Sequence, residues 1–104
     1  MEPDIRDIEI RMDTGGAVTV VAGCYGPLAV HRDNGDPTAT TYSISHRETG
    51  HRISRGLARS VAIAVAERLA VDPRWNFRTL AEFERVKSGL RLSLNAALLA
   101  HGVS

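Results

Sequence analysis

TYSISHRETGHRISRGLARSVAIAVAERLA, residues 41–70, changes its period halfway. In its first part Tyr42, Ile44 and His46 alternate with Ser43 and Ser45, the spacing of a strand with two unlike faces. Glu48-Thr49-Gly50 follows as a tight loop, in which Gly50 can take the left-handed conformation that closes a hairpin. Residues 51–53 are then a short returning strand. From Ser54, a candidate N-cap, the period becomes helical. Leu57, Val61, Val65 and Leu69 form a bulky stripe, and Ala58, Ala62, Ala66 and Ala70 form a second stripe rotated by one residue. Bulky residues fill the space over a sheet, while alanines let another helix approach closely. Asp72-Pro73 stops the helix, because the residue before proline avoids the helical region. A helix is therefore expected over 55–71.

Toward the N-terminus the strand period persists. Ile8, Ile10 and Met12 alternate with Glu9, Arg11 and Asp13. Thr14-Gly15-Gly16 is a turn signal, and residues 17–24 place Val18, Val20, Ala22 and Cys24 on one face. Gly23, Gly26 and Pro27 interrupt that run with a bulge or turn. In 28–32, Leu28 and Val30 are expected to face inward and Ala29 and His31 outward. Asn34-Gly35-Asp36-Pro37 is a turn, and residues 38–46 are the fourth strand. Strands occupy about 5–53 with no βαβ alternation, so the sheet is expected to be antiparallel.

Toward the C-terminus, Thr79-x-x-Glu82 is a capping box and Gly102 a stop. Leu80, Phe83, Val86, Leu90, Leu94, Ala97 and Leu98 hold one stripe, in phase across Gly89, so one long helix is expected over 79–101. Leu92, Ala96 and Leu99, continued by Val103, form a second stripe at heptad-like spacing. Either the 75–77 segment covers that stripe, or it is a face for self-association or for a partner. Trp75, in the connection between the helices, reads as a plug for the end of the core.

The chain is thus expected to be a single α+β domain: an N-terminal antiparallel sheet of four to five strands followed by two C-terminal helices packed on one face. At 104 residues it can build a core without disulfides or metal. One cysteine excludes an internal disulfide. The acidic N-terminus lacks the apolar stretch of a signal peptide, and no apolar run is long enough for a bilayer, so no membrane association is expected and the compartment read is cytoplasmic. The net charge of +1 hides a gradient. Residues 1–45 carry seven acids against three arginines, whereas residues 46–59 carry four arginines against Glu48 alone.

No motif names a chemistry. The glycines form neither GxGxxG nor GxxxxGK[ST], no serine sits in a GxSxG elbow, and no histidine has a fixed ligand spacing. His46 and His51 flank one hairpin and are the candidate start of an enzymatic or metal site, the least favoured reading. Neither a cofactor nor a metal is expected, and no residue is assigned as catalytic. The densest candidate is the basic hairpin, where Arg47, His51, Arg52, Arg55 and Arg59 gather at a hairpin tip and a helix start. Such a ribbon can grip a protein partner or nucleic acid. Against nucleic acid stand the modest pI of about 8.0 and the few aromatic side chains available for stacking.

LAVHR at 28–32, the strand running into YSISHRETGHRI at 42–53, and the alanine-rich helix after it resemble small accessory proteins encoded by phages and prophages of high-GC bacteria. The similar part covers roughly 28–71. The resemblance implies a non-enzymatic protein of the host-cell cytoplasm that acts by binding, for example an inhibitor of a host defence complex such as an anti-CRISPR protein. It assigns no site residue, because that group shares no common site. The leading expectation is a binding protein that docks on a protein partner through the basic hairpin or the Leu92, Ala96 and Leu99 face. A homodimer through the second helix and a DNA- or RNA-binding role of the hairpin are the alternatives.

Overall fold

Alternation in the first half and helical periodicity in the second give five strands followed by two helices. The strands are β1 (Asp4–Arg11), β2 (Ala17–Tyr25), β3 (Leu28–Arg32), β4 (Tyr42–His46) and β5 (Arg52–Leu57). They pair in chain order as one antiparallel meander. The helices are α1 (Arg59–Ala70) and α2 (Leu80–Ala100). The computed structural model describes residues 2–12 and 15–103. The expected turn after β1 therefore lies partly outside the described residues; at its flanks the Met12 N–H donates to Gly16 O at 2.8 Å.

Register decides which side chains share a face. The two-residue turn at Gly26-Pro27 sets Cys24 opposite Ala29, Gly23 opposite Val30 and Tyr25 opposite Leu28. Leu28 and Val30 thereby lie on the face opposite to Val20, Ala22 and Cys24. The sequence pattern alone had put both sets in one core; instead there are two. Tyr25, Leu28, Val30, Ile44 and Leu57 pack under α1 and α2, while Ile8, Ile10, Val20, Ala22, Cys24 and Ala29 form a second cluster on the other face. Ala29 and His31, expected to face outward, are accordingly buried.

The second cluster is enclosed by curling of the sheet. The Arg11 N–H donates to Gly50 O at 2.9 Å, and Arg11 Nε donates to Thr49 O at 3.1 Å, so the end of β1 reaches the β4–β5 turn. Gly50, at φ +70°, makes this approach possible: a Cβ there would lie 2.5 Å from Glu9 O. On the helix side of the sheet, β1 and β2 are left open. Ile5 is 63% and Val21 68% exposed, beside an open groove of about 500 Å³ bordered by Tyr25, Tyr42 and Ile63.

Capping chemistry bounds α2 at both ends, whereas α1 starts without a side-chain cap and later than expected. The first helix begins at Arg59 with Ala58 as N-cap, and Ser54 lies within β5. The strand runs further because Leu57 pairs opposite Tyr42 and buries its side chain, the ladder shifting register on the way past Gly56, at φ +71°. In α2 the Thr79 hydroxyl accepts from the Glu82 N–H, and Glu82 Oε2 accepts from the Arg78 N–H. At its C-terminus Gly102 N–H donates to Leu99 O and Val103 N–H to Leu98 O, a Schellman closure. Leu80 of the expected α2 stripe is exposed; Phe83, Val86, Leu90, Leu94, Ala97 and Leu98 pack inward. Trp75, in a 3-10 turn between the helices, is buried in the core. Among the described residues no helix is long and apolar enough to cross a membrane.

Candidate functional site

The histidines divide by burial. His46 is fully buried on the helix side. Its Nε2–H donates to Trp75 O at 2.7 Å, its Nδ1 accepts from the Thr49 hydroxyl at 3.2 Å, and its ring stacks on Phe77 at 3.7 Å. It ties β4 to the inter-helix turn and has no open approach. His51 is exposed and leans on Phe83, with ring centroids 5.4 Å apart. His31 sits on the other face, its Nδ1–H donating to Arg32 O at 2.7 Å and its Nε2 accepting from the Ser45 hydroxyl at 2.8 Å. Ser45 is fully buried, so this Ser–His pair cannot meet a substrate. Next to it Asp33 accepts from the Thr41 and Ser43 hydroxyls and, at 3.3 Å, from the Gly56 N–H. These bonds satisfy polar groups that the curled sheet would otherwise bury unpaired.

Electrostatics follow the burial. Desolvation lowers the pKa of both His31 and His46, so both rings are held neutral. Desolvation also pushes the Cys24 thiol up, leaving it a small inert hydrophobe. Burial pulls Asp33 upward, but the bonds from Ser43, Thr41 and Gly56, with Arg52 nearby, hold its carboxyl below the usual range. Among the described residues no group of three His, Cys, Asp or Glu side chains is placed to hold a metal ion.

The basic hairpin does not form one patch. Arg47 lies beside Gly26, Pro27 and Arg78. Arg52 turns its Nη1 to Asn34 Oδ1 at 2.8 Å and also borders a crevice that His51 lines. Arg55 is exposed on β5, and Arg59 opens α1 at the groove where Arg32 lies over the Tyr42 ring, 5.5 Å from its centroid. The β4–β5 hairpin holds these residues in sequence proximity while strand alternation and the β5 register shift send them in different directions.

The second candidate face is open. Leu92 is 72% and Leu99 67% exposed, with Ala96 exposed between them; Trp75 and Phe77 pack on the opposite side of α2. Beside Leu92, a shallow depression is lined by Lys87, Ser88, Arg91 and Asn95. Lys87 pairs with Glu84 at 2.7 Å. Sequence reasoning did not single out Lys87 and Arg91, although a signal was present: residues 85–104 contain Arg85, Lys87 and Arg91 and no acid. The arrangement is an apolar strip beside positive charge, a surface suited to binding. No protein-family model, no curated protein and no solved structure matches the chain.

Proposed function

We propose that this chain is a small non-enzymatic binding protein that docks on an acidic surface of a partner protein through the outer face of α2. The observation that carries the reading is the pair of exposed leucines, Leu92 and Leu99, on a helical stretch that has three bases and no acid. Exposed apolar area of this kind, rimmed by charge, is the usual mark of a contact surface. The charge selects the partner. A parallel pairing of two copies through this face would set Arg85, Lys87 and Arg91 of one against those of the other, whereas an acidic partner is attracted in either orientation. The scattering of Arg47, Arg52, Arg55 and Arg59 favours a protein partner over a nucleic-acid groove, which needs its cations along one track. The resemblance of residues 28–71 to phage accessory proteins adds a role to this reading: inhibition of a host defence complex.

The test is affinity capture with wild type and with the Leu92→Glu/Leu99→Glu double variant, followed by reconstitution with the purified captured component. The expected result is a binary complex that the wild type forms, that added salt weakens, and that the double variant loses while its circular dichroism and unfolding midpoint stay unchanged. Equal binding by both proteins refutes the docking face. A wild-type dimer that the same substitutions dissociate establishes self-association instead, and low-salt affinity for generic duplex DNA establishes the nucleic-acid reading.

A further inference from the structure

Between β5 and α2 lies a partly enclosed crevice of about 130 Å³, separate from the Leu92 and Leu99 strip. Its walls are Ile53, Trp75, Phe77, Phe83, Leu90 and Leu94. The aromatic rings are continuous: Phe77 and Phe83 lie 5.1 Å apart, and Trp75 and Phe77 6.4 Å apart, by ring centroids. The rim is different in kind. His51, Arg52, Lys87 and Arg91 border the opening, and no acid does. Trp75, one of the walls, carries a further feature. Trp75 is 2% exposed, and its Nε1–H is a buried donor with no acceptor among the described residues. Indole nitrogen can only donate, and natural cores rarely leave such a group unpaired.

Size and chemistry together define an occupant. An engineered cavity of about 150 Å³ holds benzene, so this crevice is of the order of one ring. Apolar walls with a few convergent polar groups are the general character of small-molecule sites. We propose that the crevice binds a ring-sized apolar carboxylate, an aryl-acetate or short alkanoate whose hydrocarbon part lies among Phe77, Phe83, Leu90 and Leu94. Its carboxylate takes the charge of Arg91 and Lys87 at the rim. Arg91 is the principal anchor, because Lys87 is already paired with Glu84. This ligand site shares Arg91 and Lys87 with the docking face but not Leu92 and Leu99, so substitutions at the leucines separate the two readings.

The chain contains a single tryptophan, so the indole N–H gives one cross-peak in a nitrogen–proton NMR spectrum and one source of indole fluorescence. The probes are phenylacetate and hexanoate, with phenylacetamide as the uncharged control. For ligands of this size the expected dissociation constant is on the order of 1 mM. Saturable shifts are expected at the Trp75 indole, at His51 to Ile53 and along α2 from Phe83 to Leu94. Phenylacetamide, and phenylacetate on Arg91→Glu, should bind about tenfold more weakly, the loss of one charge-assisted hydrogen bond. Arg91 is exposed, so that variant folds, and Leu99→Ser should leave phenylacetate affinity unchanged. Absence of saturable shifts at tenfold the expected constant overturns the proposal. Equal affinity for the amide overturns the carboxylate assignment, and shifts confined to the groove beside Ile5 and Val21 overturn the location.

Discussion

Lowering the pH from 7 to 5 should destabilise the protein steeply, because two buried histidines must take up protons. Both His31 and His46 have pKa values held below the ordinary 6.5 by desolvation, opposed by the Arg32 and Trp75 carbonyls that accept from them. The charged neighbours are Asp33 and Arg52 for His31, and Glu48 and His51 for His46. As pH falls, the unfolded chain binds these protons first. Stability is therefore complete above about pH 6.5, falls through the interval down to each folded-state pKa, and levels off beneath it. Each histidine contributes a slope of up to about 1.4 kcal/mol per pH unit, and the two together up to about 2.7. Against a total stability of about 5–15 kcal/mol, one unit of acidification is a large perturbation. The depressed carboxylates Asp33, Asp36 and Asp72 act in a different window: their contribution is intact above their ordinary pKa of 3.8 and is lost only below it. Urea unfolding at intervals from pH 8 to 5 measures the slope directly. His46→Phe keeps an aromatic ring against Phe77 but leaves Trp75 O without its donor, costing about 1–3 kcal/mol at pH 8. It should also reduce the slope below pH 6.5, because only His31 then contributes. A flat wild-type profile over that range, or an unchanged slope in His46→Phe, would refute the reasoning.

Four other outcomes follow from the packing. Leu90→Ala should cost about 2–5 kcal/mol in urea unfolding, because Leu90 is buried in the helix-side core, whereas Leu92→Ala, two residues on and exposed, should stay within about 0.5 kcal/mol. Gly50→Ala should lower stability by about 2 kcal/mol or more, since its φ is positive and its Cβ would press on the Glu9 carbonyl. Gly89→Ala should leave the thermal midpoint nearly unchanged: helix propensity favours alanine by about 0.8–1 kcal/mol, but the added Cβ would lie 2.5 Å from the Arg74 guanidinium and must shift it on its Asp72 partner. Cys24 should react with Ellman's reagent only as fast as the protein opens, because the thiol is buried and its pKa raised.

The order of elements was legible because each rests on a local signal. Gly50 and Asn34-Gly35 take the left-handed backbone that turn chemistry demands, and Thr79 and Gly102 bound α2 as capping rules require. What escaped was non-local. Alternation assigns residues to faces within a strand but cannot relate one strand to the next across Gly26-Pro27; that parity is fixed by the hairpin register. Hence the second core, the burial of His31, and the β1 contact with the β4–β5 turn were not visible. The start of α1 was misplaced by a related effect: Ser54 is a good N-cap by type, but burial of Leu57 in the sheet outweighs a capping bond. At the candidate site the exposed leucines were readable from periodicity. The division of the basic residues was not, because sequence proximity along a hairpin does not fix the direction of long side chains.

The two cores bear on why α2 is built as it is. Curling, with the Asp33–Gly35 turn packed on Val20, encloses one face of the sheet, so α1 and α2 need to cover only the other face. Helix α1 contributes Ala62, Val65, Ala66 and Leu69 to that cover, while α2 contributes only Leu90 and Ala97 as fully buried residues. Twenty-one residues of helix, about 32 Å at 1.5 Å per residue, match the longest dimension of the molecule, 33 Å. A cover alone would suit a polar outer side throughout. From Glu82 to Ser88 the exposed side chains are polar, Glu82, Glu84, Arg85, Lys87 and Ser88, but further along Leu92, Ala96 and Leu99 join Arg91 and Asn95 on the outer side. The change occurs within one continuous helix and is not required by the packing beneath it. On the proposed reading, these leucines are the contact surface that the docking role requires, and their replacement by polar residues should leave the fold intact.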